Sequence, residues 1–128
     1  MGQARAHRPI ALVVEDDASQ RVRVLVTTLL EESEMSVIQC ESAEAAEVVM
    51  NKIGSAVSLL FTDVKLAGNM TGLELADKAK ARYPEMTVII TSGRACADIP
   101  KDTRFLPKPW NALDILMEAE KTLVNGYH

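Results

Sequence analysis

Ile10-Ala11-Leu12-Val13-Val14 is an unbroken aliphatic run that stops abruptly at three acids, Glu15-Asp16-Asp17. A short continuous run of this kind predicts a strand buried on both faces. From Ala18 the period changes. Val22, Leu25, Val26 and Leu29 fall at i, i+3, i+4 and i+7, one face of a helix. A doubly buried strand that passes straight into an amphipathic helix leaves few ways to arrange the rest of the chain.

The cycle then repeats. Ser36 to Cys40 reads as a second, weaker strand, and Ser42 as the N-cap of an alanine-rich helix through about residue 51. Val57 to Thr62 is a third strand and again ends at an acid, Asp63. A loop with Gly68, Asn69 and Gly72 comes next. Thr71 and Glu74 then have the spacing of a capping box, for a helix that ends near Tyr83-Pro84. Thr87 to Thr91 and Arg104 to Leu106 are the fourth and fifth strands. Asn111 caps a last helix with Ala112, Ile115, Leu116, Ala119 and Leu123 on one face. Strands that alternate with helices predict parallel strands joined by right-handed crossovers, here a three-layer α/β sandwich. One connection is irregular. The stretch from Ser92 to Phe105 contains Asp98, Pro100 and Asp102 and hardly holds a full crossover helix, so a short or missing fourth helix is expected.

The length of 128 residues fits one domain. Residues 1–8 read as a flexible N-terminal extension and 9–125 as the domain. Aromatic residues make up only 4%, so the core must be mostly aliphatic. Residues 10–128 carry 12 basic and 18 acidic side chains, and a body that acidic repels a phosphate backbone. Direct nucleic-acid binding is not expected. Cys40 and Cys96 lack metal-ligand spacing and read as free thiols in a reducing compartment. No apolar run is long enough to span a bilayer, and the N-terminus lacks the apolar core of a signal peptide, so the expected location is cytoplasmic.

The carboxyl ends of parallel strands share one edge of a sheet, where open α/β sheets bind ligands. That edge would display Glu15 and Asp16, Asp63, Ser92 and Lys108. Neighbouring carboxylates raise one another's pKa unless a cation intervenes. A hard divalent ion such as Mg²⁺, held by a few carboxylates and waters, answers that need. Lys108 and Ser92 are poor metal ligands but good partners for a phosphoryl group. An Asp held beside Mg²⁺ and facing a lysine is set up to attack phosphorus and form an acyl phosphate.

This constellation closely resembles the receiver domain of two-component response regulators, from Ile10 to Leu123. The segments that carry the resemblance are Val13-Val14-Glu15-Asp16-Asp17, Leu60-Phe61-Thr62-Asp63-Val64, Gly72-Leu73-Glu74-Leu75, Thr91-Ser92-Gly93 and Phe105-Leu106-Pro107-Lys108-Pro109-Trp110. It implies a flavodoxin-like, doubly wound five-stranded sheet in the order 2-1-3-4-5. It implies Asp63 as the phosphoacceptor, with Glu15, Asp16, Asp63 and the backbone carbonyl of Lys65 around Mg²⁺. Ser92 resembles the switch hydroxyl and Phe105 the switch aromatic. Lys108 resembles the phosphate-contacting lysine before a cis Pro109. The implied partners are a histidine kinase or phosphotransfer protein and a downstream protein target, with homodimerisation on phosphorylation as one outcome. No enzymatic turnover is implied beyond self-catalysed phosphotransfer and autodephosphorylation.

Four departures stand out. The loop Ala67-Gly68-Asn69-Met70-Thr71 is one residue longer than the usual pattern, and Ala67 stands where proline is common. The fourth helix is truncated. Lys65 and Arg94, two positions after Asp63 and Ser92, place long cations at sites that affect attack by water, so a slowly hydrolysed acyl phosphate is expected. Three rival readings compete with this one. A degenerate receiver that only docks a partner is disfavoured by the retained Asp16, Asp63 and Lys108. A haloacid-dehalogenase-type phosphohydrolase needs a second Asp two residues after the nucleophile, and Lys65 stands there. A flavodoxin needs a phosphate loop after the first strand, where Glu15-Asp16-Asp17 would repel phosphate.

Overall fold

A computed structural model describes residues 8–16, 20–94 and 98–125. Its elements run β1 (Ile10–Val14), α1 (Gln20–Glu32), β2 (Ser36–Cys40), α2 (Ala43–Ile53), β3 (Val57–Asp63), α3 (Gly72–Arg82), β4 (Thr87–Ser92), β5 (Arg104–Pro107) and α4 (Ala112–Asn125). The five strands form one parallel sheet in the order β2-β1-β3-β4-β5. This is the expected flavodoxin-like arrangement. Among the described residues no helix lies between β4 and β5. The last helix is therefore α4.

The strand alternation divides the core into two layers. Leu12 and Val14 of β1 pack with Leu60, Val88 and Ile90 against α2 and α3, through Ala46, Met50, Leu75 and Ala79. Ala11 and Val13 point the other way, with Leu59, Phe61 and Ile89, toward α1 and α4. A period of two on a sheet covered on both faces requires this split. Val57 shares the Leu60 face because the β1–β3 register shifts between Ile10 and Ala11. Full burial of each such aliphatic side chain stabilises the fold by about 1.5–3 kcal/mol.

Local signals place the helix starts. The Ser42 hydroxyl accepts from the Ala45 N–H, as an N-cap should. Thr71 and Glu74 form the reciprocal capping box, at 3.1 and 2.8 Å. Asn111 and Asp114 form another at the start of α4.

Two helical faces differ from expectation. Leu25 is 47% exposed, and Arg23 is buried in the layer where an apolar residue would be expected. The buried stripe of α1 is Arg23, Val26, Thr27, Leu29 and Leu30, rotated from the aliphatic pattern toward β2. In α4, Ala112 is exposed and Thr122 is buried, so the covered face begins at Ile115. Asp17, Ala18 and Cys96 lie outside the described residues.

Candidate functional site

Strand register brings the predicted groups to one level. Val14 pairs with Thr62, Asp63 with Thr91, and Ser92 with Pro107. Glu15 therefore follows β1 beside Asp63, while Ser92 and Lys108 follow on β4 and after β5. The strand order reverses between β1 and β3, so these groups surround the switch point of the sheet.

Asp63 is 9% exposed. The Lys108 Nζ donates to its Oδ2 at 2.8 Å, a charge-assisted contact across 45 residues of chain. Its Oδ1 accepts from the backbone N–H of Lys65 at 3.3 Å. Lys108 is held from behind. Its N–H donates to the Ser92 carbonyl at 2.9 Å, and its bond to Pro109 is cis. Trp110 then anchors the turn. Its Nε1 donates to the buried Thr91 hydroxyl at 3.2 Å, and its ring meets Phe61 edge-on with centroids 6.1 Å apart. The Ser92 hydroxyl accepts from the Arg94 N–H at 3.1 Å. Phe105 is partly buried against the α2–α3 layer.

Glu15 is fully buried, and neither carboxylate oxygen has a hydrogen-bond partner. Burial, then the charge of Asp63, pushes its pKa up to about 8, against an opposing pull from Lys108. The Lys108 charge does not offset burial and the neighbouring Asp63, so a further cation would favour the ionised carboxyl. Among the described residues no group of three or more His, Cys, Asp or Glu side chains is arranged to hold a metal by itself. The orphaned Glu15 oxygens beside Asp63 suit a cation that takes few protein ligands and keeps its waters, which is the behaviour of Mg²⁺.

The loop after Asp63 is held at two points. Gly72 opens α3 so close to β3 that a Cβ there would lie 1.8 Å from the Asp63 carbonyl oxygen. Glu44, near the start of α2, accepts from the N–H groups of Asn69 and Met70 at 2.8 and 3.0 Å. Gly68 lies beneath that carboxylate with φ +100°. A hydrogen bond from its own backbone N–H, then those from Asn69 and Met70, hold the Glu44 carboxyl below its usual pKa.

The predicted Asp63–Lys108 pair is therefore assembled, with Glu15 beside it. Sequence reasoning missed Arg23, Glu44 and the anchoring role of Trp110. The Pro-Lys-Pro-Trp run was the available signal for Trp110. Nothing local marked the other two.

An acid–lysine pair at the switch point of a parallel 2-1-3-4-5 sheet places the chain among the doubly wound α/β domains. The sequence matches the response regulator receiver domain over residues 11–119, and the chain belongs to that family. It is 31% identical to the response regulator receiver protein CpdR of Brucella abortus, over 88% of this chain and 95% of that one. It is also 31% identical to the nitrogen assimilation regulatory protein NtrX of Azorhizobium caulinodans, over 88% of this chain but only 25% of the longer relative. Among solved structures, a CheY-like receiver domain protein from Methanospirillum hungatei superposes with a TM-score of 0.76 at 26% identity, over 94% of this chain and 98% of that one. Receiver domains are signalling modules rather than classical enzymes, and they generally bind Mg²⁺ at the phosphorylation site. No helix among the described residues is long and apolar enough to cross a membrane.

Proposed function

We propose that this domain accepts a phosphoryl group on Asp63 from a histidine kinase or phosphotransfer protein and thereby switches a protein-interaction surface. The observation that carries this reading is the 2.8 Å Lys108–Asp63 contact beside the orphaned Glu15 carboxylate. In the transfer, a carboxylate oxygen of Asp63 attacks phosphorus, the bond to the donor imidazole breaks, and the imidazole leaves with its electron pair. Lys108 offers charge to the phosphoryl oxygens, and the Ser92 hydroxyl supplies a donor once it turns from the Arg94 N–H. Glu15, Asp16, Asp63 and the Lys65 carbonyl would hold Mg²⁺, which when bound neutralises charge on the transferring group. Phe105 and the segment after β4 would carry the change outward. Residues 9–125 would form the switching unit, with 1–8 as an extension.

The retained acids and lysine favour this reading over a phosphorylation-independent docking module. Mg²⁺-dependent labelling by a small phosphodonor tests it, with Asp63→Asn as the control. Labelling of the wild type alone is expected. No labelling of the wild type would favour the docking module.

A further inference from the structure

Arg23 is the most unusual buried group outside the reacting cluster. It sits on α1 with 6% exposure, although an ionised side chain is seldom buried unless paired. Its partners are unusual too. One guanidinium nitrogen, Nη1, donates to the Glu15 carbonyl at 2.9 Å and reaches the Asp16 carbonyl at 3.5 Å. Its Nε donates to the Gln39 side chain of β2 at 3.1 Å. Among the described residues its carboxylate partner is Glu41, 4.0 Å away and 64% exposed. Among the described residues the cation is thus directed mainly at backbone carbonyls.

Those two carbonyls belong to the peptide planes on either side of the Asp16 Cα. Each plane is rigid, so fixing both carbonyls fixes the Asp16 backbone torsions and the direction in which its side chain leaves. The Glu15 backbone is held from its other end as well, by its N–H donating to the Cys40 carbonyl at 3.1 Å. Contacts to β2 alone would tie α1 to the sheet. The bonds to Glu15 and Asp16 do something further.

We propose that Arg23 is a positioning residue: its guanidinium clamps the β1–α1 corner so that the Asp16 carboxylate is pre-arranged for a divalent cation. The inference rests on the phosphoacceptor reading. Partners behind a metal site typically change metal affinity by 10–100-fold when removed. Arg23→Met keeps the side-chain bulk and removes every donor. It should weaken Mg²⁺ binding about tenfold by calorimetry. Gln39→Ala, at an exposed position, removes only the Nε anchor and should weaken binding about threefold. At saturating Mg²⁺ the labelling rate of Arg23→Met should return to that of the wild type, because the clamp acts on metal occupancy and not on Asp63. A lower melting temperature with unchanged Mg²⁺ affinity would make Arg23 a tie between helix and sheet and would overturn the proposal. If Arg23→Met does not fold, Gln39→Ala and Arg23→Lys decide by the same titration, and unchanged affinity in both overturns it. Absence of Mg²⁺ binding by the wild type would defeat the phosphoacceptor reading and this proposal with it, whereas wild-type binding that the variants leave unchanged defeats this proposal alone.

Discussion

Replacing Glu15 by Gln should make the metal-free protein more stable at alkaline pH. The unfolded carboxyl titrates near its ordinary value of 4.5, while burial and the neighbouring Asp63 raise the folded value to about 8. Between those values the folded state holds a proton that the unfolded state has released. Stability therefore falls as pH rises through that window. The gap corresponds to about 3–5 kcal/mol across the window. Glu15→Gln removes the charge and keeps the shape. Urea melts in the presence of a chelator, from about pH 5 to pH 8, measure the effect as a slope. The wild type should lose stability steadily across the range, and Glu15→Gln should lose much less. Added Mg²⁺ should flatten the wild-type slope, because a cation favours the ionised carboxyl. The Glu44 carboxyl is shifted the other way, so its contribution is lost only as pH falls toward the acid range, below this window. A wild-type profile in chelator as flat as that of Glu15→Gln would mean that Glu15 does not hold its proton across this range.

The packing around Asp63 sets three further outcomes. Gly72→Ala places a Cβ against the Asp63 carbonyl and should destabilise by about 1–3 kcal/mol while slowing labelling, read by melts and by phosphodonor kinetics on the same samples. Trp110→Ala removes the Thr91 hydrogen bond and the Phe61 edge contact that hold the Lys108 turn, and, since Trp110 is only partly buried, should cost about 1–3 kcal/mol in denaturant titrations. Replacing Lys65 and Arg94 together with Ala should shorten the acyl-phosphate lifetime in a chase experiment, and an unchanged decay rate would remove any shielding role for these two cations.

Much of the fold and site is legible in the sequence because parallel α/β folds place chemistry at strand ends, and strand ends are marked locally. Val14 gives way to Glu15, Thr62 to Asp63 and Pro107 to Lys108, so periodicity and a change of polarity are enough to locate the cluster. The Thr71–Glu74 box and the absence of a helix among the described residues between β4 and β5 are equally local. Arg23 and Glu44 are not. Both are charged residues on helices, and the bland reading of either is a solvated face. Only the third dimension shows that Arg23 faces two carbonyls at the end of β1, or that Glu44 reaches amides in a loop 25 and 26 residues away. The exposure of Leu25 has the same origin. A 3.6-residue period reports that a helix has an apolar side, while the neighbouring β2 decides how far the helix is rotated.

Asp63 is the carboxylate on which the proposed mechanism depends, and the most direct measurement asks where a transferred phosphoryl group would reside. The domain is treated with a small phosphodonor and Mg²⁺, reduced with borohydride, which converts an aspartyl phosphate into homoserine, and mapped peptide by peptide by mass. Conversion is expected at position 63 alone, and only with Mg²⁺ present. Conversion at any other acid, with Asp63 intact, would place the phosphoacceptor elsewhere and contradict the assignment.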